Sequence, residues 1–398
     1  MGAKRVRMRT SRLNFHVPMF SAQHLTSADL HDLSATLAAW RSRWPDMGVL
    51  ALLPEALSDR VPLLQTAFRE RGVPLLGAVF PSLFTGQGFV TDQVLLLCLA
   101  PMPPWLFQPV LDDAGREAWY EAVRFMQAMH GGEPGAEPLL FMIFDGMLPD
   151  VGSLVDELHL SLQQPLRYSG VNAGSETFQP MACLFDAERQ AGMGVISLLL
   201  PHSVEALTRH GYPVSRALMT ATTGEGNRID TIDHRPAFEV YQQLILEEYG
   251  VHLTRENFYD YAVHFPFGLV TMIDVLVRIP VALGDDGSLI CVGEIPPNSL
   301  MRLLRAPAAA QGSAVTELAA FVAERRAASP TRPWLHFYCA GRRMHLGDSA
   351  LHELQALQLQ SGQSDLVGAL TLGEIDTLDA VGLPRLPRFH NACLVGLG

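Results

Sequence analysis

Near the carboxyl end three short clusters follow one another: Cys339-Ala340-Gly341-Arg342, Gly373-Glu374-Ile375 and His390-Asn391. They supply a thiol, a guanidinium, a carboxylate and an imidazole, a set that could line one pocket. Cys339 follows the apolar run 334–338, and Gly341 lets the backbone turn before Arg342 and Arg343. A thiol beside two cations has a stabilised thiolate. The alternative is a strand-end cysteine that acts as a small buried hydrophobe. Arg342 reads either as a ligand contact or as a clamp on Glu374, because a buried carboxylate needs a charged or hydrogen-bonding partner. Arg278, between Val277 and Ile279 in a strand, faces opposite to both and meets a carboxylate or the pocket. Cys339, His390 and Asn391 also satisfy the residue list of a thiol hydrolase, with Cys339 as the nucleophile of acyl transfer and His390 as its base.

A metal is the other chemistry within reach of these residues. His390 and Cys393 are both competent haem-iron ligands, and nearby arginines suit the propionates. Residues three apart in a strand point to opposite faces, so the two cannot grip one metal unless the backbone bulges. His264 is the second candidate, in the aromatic and apolar segment 261–268, and His345 is the third. No Cys-x-x-Cys-His segment occurs, so a haem would be haem b, held without a thioether link. Five cysteines without a C-x-x-C pair signal neither a disulfide framework nor a zinc knuckle. Gly224-Glu225-Gly226 lacks the third glycine of a dinucleotide fingerprint, and no P-loop, H-E-x-x-H or G-x-S-x-G segment is present.

The order and setting of the three C-terminal clusters resemble the C-terminal half of the FIST family, sensory ligand-binding proteins of bacterial signalling. The likeness continues upstream through Val277-Arg278-Ile279-Pro280 and the stretch 229–241. In the first half the similar pieces are Leu76-Gly77, Phe144-Asp145-Gly146 and Ser169-Gly170-Val171-Asn172-Ala173-Gly174. The resemblance implies a non-catalytic sensor that binds a small ligand through Arg278, Cys339, Arg342, Glu374, His390 and Asn391. Some members bind haem and respond to nitric oxide, which here implies His390 or His264 on the iron. It also implies action on a separately encoded histidine kinase or cyclic-dinucleotide enzyme, with homodimerisation left open. Gly77-Ala78-Val79-Phe80 replaces the family's small polar residues after its glycine, and Asn172 stands where a second glycine is common.

The elements that must position these residues follow from patterning. At 398 residues the chain exceeds what one core usually serves, so two domains of roughly 200 residues are the natural division. Hydrophobic residues make up 48% and charged residues only 18%, which requires a large interior. A net charge of −12 disfavours nucleic acid, whose phosphates need a positive surface. The apolar stretch 94–107 is broken by Pro101, Pro103 and Pro104, too short to span a bilayer, and no apolar run follows the basic residues Lys4 to Arg12. The reading is a cytoplasmic protein without membrane insertion.

Leu30, Leu33, Leu37, Trp40 and Trp44 recur at helical spacing behind Thr26 and Asp29 as a cap. Strands are expected at 48–53, 73–80, 139–144, 181–185 and 193–200, alternating with helices at 59–71, 113–130 and 151–163. Beyond about residue 201 come strands at 217–221 and 227–232 and a helix over 236–249. A hairpin joins 274–283 to 288–292 through Gly284-Asp285-Asp286-Gly287. A surface helix over 313–326 and strands at 334–339, 366–372 and 392–397, the last one carrying His390 at its start, complete the chain. The expected architecture is α/β, mixed α+β: a basic disordered tail (1–12), an N-terminal domain (13–200) and a C-terminal domain (201–398), each a mixed sheet layered with helices.

Overall fold

The structure is a computed structural model that describes residues 19–26, 30, 33–130, 137–162, 165–305, 313–330, 333–378 and 385–398. The expected tail over 1–12 and the cap residue Asp29 lie outside the described residues. Three parallel strand pairs organise the molecule: Gly48–Pro54 with Leu75–Phe80, Leu139–Asp145 with Arg167–Ala173, and Leu335–Cys339 with Val367–Thr371. Parallel neighbours need a crossover. Helices Val61–Arg71 and Val151–Ser161 supply the first two, and helices Ala340–Leu346 and Ser349–Ser361 the third.

These strands read as continuous apolar runs because both faces are covered. Along Leu139–Asp145 every residue is buried. Leu140, Met142 and Phe144 share a core with Trp119, Val123 and Met126 of helix Asp113–His130, whereas Phe141 and Ile143 belong to a second core with Phe337 and Val395. Phe141 and Phe337 stack with centroids 5.8 Å apart, so two sheets meet face to face there. Helices stop where the sequence announces it: Gly72 and Gly250 adopt φ of 60° and 69°, left-handed conformations that cost glycine little. The alanine-rich helix Ser313–Ala328 buries Ala314, Val315, Leu318, Ala319 and Val322, so only part of it is surface.

The described residues form four sheets layered with helices, three of them mixed and one antiparallel, which is the α/β class the alternation predicts. The sheets do not divide at residue 200. Glu374–Leu378 pairs with Arg167–Ala173 and carries Leu386–His390 at the edge, so two C-terminal strands complete an N-terminal sheet. In return, Leu83–Thr85 and Gly88–Val90 extend the sheet of Val367–Thr371.

The remaining sheet has the hairpin strands at both ends of its order. The strand expected over 274–283 breaks at Ile279 into Val275–Arg278, which pairs with Phe267–Val270, and Pro280–Leu283, which pairs with Leu289–Cys291. Because the first and last strands of one sheet are separated by a single residue, the sheet must curl back on itself. Tyr241 and Ile245 of helix Ala237–Tyr249 pack into its core. The last strand is Leu394–Leu397, and His390 does not start it: His390 ends Leu386–His390 in a different sheet. Ala392, at φ 61°, turns the chain between the two. Among the described residues no helix is long and apolar enough to cross a membrane.

The strand exchange makes a prediction. A fragment of residues 1–200 lacks the strands that cover Arg167–Ala173, and an uncovered strand edge buries less and associates readily. We expect it to show no cooperative thermal transition by circular dichroism, and co-expression with residues 201–398 to restore one. A sharp transition in the isolated fragment would show the halves to be independent.

Candidate functional site

A cavity of about 1000 Å³ opens beside the exchanged strands. Side chains alternate along a strand. Phe389 and Ile375 therefore enter the hydrophobic core, while Arg388 and His390 face the other way, opposite Asp376 and Glu374. Arg388 grips Asp376 with two parallel bonds, Nε to Oδ1 at 2.9 Å and Nη2 to Oδ2 at 2.7 Å. His390 Nε2 approaches the same Oδ1 at 3.1 Å. Burial alone would raise the Asp376 carboxyl, but His390 and Arg388 outweigh it and hold it below the usual range. Burial pushes the His390 imidazole down, against the pull of Asp376. The neutral ring thus donates from Nε2 to the carboxylate and leaves Nδ1 as an acceptor with no partner.

Across the cavity, the backbone N–H of Tyr212 donates to His210 Nδ1 at 3.0 Å, which puts the ring proton on Nε2, 3.4 Å from Asp274 Oδ1. Asp274 is held down to about 2: burial opposes this, and the His210 bond and the Val275 N–H outweigh it. His264 Nδ1 and His345 Nδ1 meet at 2.5 Å, joining the segment after helix Phe258–Ala262 to helix Ala340–Leu346. Burial pushes His264 down, so a neutral imidazole stands there. Arg209 and Glu317 pair at 2.7 Å on the same wall.

Of the residues singled out from sequence, His390 and His264 line this cavity, as does His345. Cys393 lines it too, and Arg278, Cys339, Arg342, Glu374 and Asn391 lie elsewhere in the interior. Arg342 does not clamp Glu374; it forks onto Glu353, Nε to Oε2 and Nη2 to Oε1 at 2.7 Å each. Tyr338 Oη donates to the same carboxylate at 2.6 Å, and Arg342 Nη1 donates to the His210 carbonyl at 2.7 Å. The physical reason is proximity: Arg342 opens the crossover whose second helix, Ser349–Ser361, carries Glu353. Glu374 is satisfied without a cation, by Thr371 Oγ1 at 2.6 Å, the Cys393 N–H at 3.2 Å and the Cys339 thiol. Burial pushes its carboxyl up to about 7, with these bonds pulling the other way.

Cys339 is not an activated thiol. Burial, then Glu374, push its ionisation well up, and Arg343 turns away to Glu176 at 2.5 Å. It makes no pair with His390, so the thiol-hydrolase arrangement is not formed. Arg278 meets neither a carboxylate nor the cavity. It donates to the carbonyls of Glu294 (2.9 Å), Val277 (3.1 Å) and Phe389 (2.9 Å) and lies over the Phe389 ring, with burial lowering it to about 10. Asn391 is 1% exposed with both amide atoms unpartnered. His390 and Cys393 do reach one wall, because Ala392 supplies the bend that a regular strand lacks.

Sequence reading missed Asp376, Arg388, His210 and Asp274. The first two carried a signal: Glu374-x-Asp376 and Arg388-x-His390 each repeat at two residues, as one polar face of a strand should. For a haem, whose macrocycle needs apolar faces, the walls are mixed: Tyr212, Pro213, Tyr261 and Phe265 accompany Arg209, Arg305 and Arg388, which suit propionates, and the carboxylates Asp274, Glu317 and Asp376, which do not. His390 Nε2 bonds Asp376 and His264 Nδ1 bonds His345, which leaves His390 Nδ1 and His264 Nε2 outside those bonds; among the described residues no three His, Cys, Asp or Glu side chains converge as a metal group.

Compared with known protein families, residues 25–235 match the FIST N domain and residues 237–376 match the FIST C domain. No curated protein matches the chain.

Two stability predictions follow from the buried charges. Glu353→Gln leaves Arg342 buried without its counter-ion and should cost about 3–5 kcal/mol in urea unfolding; a loss under 1 kcal/mol would contradict the clamp. Glu374 titrates near 4.5 when unfolded and near 7 when folded, so the unfolded chain loses this proton first as pH rises. Wild-type stability should therefore fall by up to about 3 kcal/mol between pH 4.5 and 7. In Glu374→Gln that component of the slope should vanish.

Proposed function

The chain belongs to the FIST family, and on that premise we propose that it is a sensory protein whose cavity takes a small polar ligand and whose bound state alters a separately encoded histidine kinase or cyclic-dinucleotide enzyme. FIST domains are generally sensory and non-catalytic. The observation that carries the reading is the origin of the walls. Thr208 and Tyr212 come from the FIST N match, His264, Asp274 and His345 from the FIST C match, and Arg388 and His390 from the strand beyond it. A ligand that touches all three favours the arrangement in which they surround it, and differential affinity for two arrangements is what lets a binder signal.

Haem is not part of this reading, because three carboxylates, Asp274, Glu317 and Asp376, line the cavity and none of them suits a macrocycle or its propionates. Acyl transfer is left out as well, because the Cys339 thiol stays protonated beside Glu374.

A thermal-shift screen of small polar metabolites tests the proposal. We expect compounds that raise Tm saturably, and we expect Tyr212→Phe or His345→Ala to weaken them about tenfold, the scale of one lost charge-assisted or buried hydrogen bond. Stabilisation that ignores both substitutions would sink the cavity as the sensing site. Titration with haemin should give no Soret band that depends on His390; a band lost in His264→Ala would restore the haem version.

A further inference from the structure

Taking this cavity as the ligand site, we infer that it selects a small organic anion, one presenting a carboxylate or phosphate group, with Arg305 and Arg388 as the cations that receive it. The argument is one of partners already taken. Three carboxylates line the cavity, and each is engaged: Asp274 by His210 and the Val275 N–H, Glu317 by Arg209, and Asp376 by Arg388 and His390. An amine entering the cavity finds no carboxylate without first breaking an existing pair, and the Asp376 pair is buried.

Cationic groups, by contrast, are left over. Arg388 spends Nε and Nη2 on Asp376, and its Nη1 is buried with no partner. Arg305 lines the cavity, lies 5.3 Å over the Tyr249 ring and makes no ion pair among the described residues. Tyr212, 4% exposed, also lines the cavity with its hydroxyl unpartnered. Two guanidinium groups on one cavity, one with an unpartnered N–H and the other without an ion pair, make a receptor for oxyanions, since charge-assisted bonds to carboxylate or phosphate are the strongest that arginine makes. The His264 imidazole, kept neutral by burial and bonded to His345, adds no negative charge to oppose the ligand.

Isothermal titration of the full chain with succinate, inorganic phosphate and methylammonium separates the possibilities. We expect saturable binding of at least one anion and none of methylammonium, with whichever anion binds assigning the carboxylate or phosphate source. Arg305→Gln, at an exposed position that leaves the core intact, should weaken that anion about tenfold with an unchanged melting temperature. Methylammonium binding as tightly as the anions, or anion affinity untouched by Arg305→Gln, overturns the inference. If neither anion binds while a screened ligand still depends on Tyr212, the anion inference falls and the sensory reading stands. If no ligand depends on any cavity residue, both fall.

Discussion

The docking of Glu374–Leu378 onto Arg167–Ala173 is the constraint on which the rest depends. That pairing carries a C-terminal strand into an N-terminal sheet, and with it the strand Leu386–His390 whose outward face holds Arg388 and His390. Without it, the two-stranded ribbon that sets Asp376 opposite Arg388 would have no sheet to hold it, and the cavity would lose its polar wall. The register matters as much as the pairing: a slip of one residue turns Glu374 and Asp376 toward the core of Ile375, Phe389 and Tyr168. Burying two carboxylates there without partners costs several kcal/mol each, so the apolar face fixes the polar one.

The buried charges around the cavity do little for net stability and much for geometry. A buried ion pair roughly offsets its own desolvation, yet removing one partner is strongly destabilising, which leaves each pair with essentially one arrangement. Glu353 gathers Arg342 and Tyr338, and Arg342 in turn holds the His210 carbonyl. Arg278 fastens the corner where the curled sheet breaks to the Phe389 carbonyl. Thus two arginines with no place on the cavity wall anchor the segments on either side of it.

Much of this was legible in the chain. Uninterrupted apolar runs marked the covered strands, and glycines marked helix ends, because both follow from local rules. The partners of charged residues were not legible, since Arg342 meets Glu353 through a helix crossover and any carboxylate satisfies the same rule. Placing His390 in the last strand failed for a specific reason. The break lies at Ala392, and alanine gives no sign of the positive φ that glycine or asparagine would have advertised. Glu374 and Cys339 looked like ligand contacts because their types are reactive, but burial makes the thiol inert and holds the carboxyl near 7.

His210 joins the buried anchor to the cavity wall. Its carbonyl accepts from Arg342, its Nδ1 accepts from the Tyr212 N–H and its Nε2 faces Asp274 at 3.4 Å, so one residue spans the buried anchor, the FIST N segment and the FIST C wall. The first two contacts, at 2.7 and 3.0 Å, are shorter than the third, and only the third crosses the cavity's side chains. A hydrogen bond that long is weak. It is therefore the weakest of the three joints, and the FIST C wall is held to this loop less firmly than the buried arginine holds the loop to the interior.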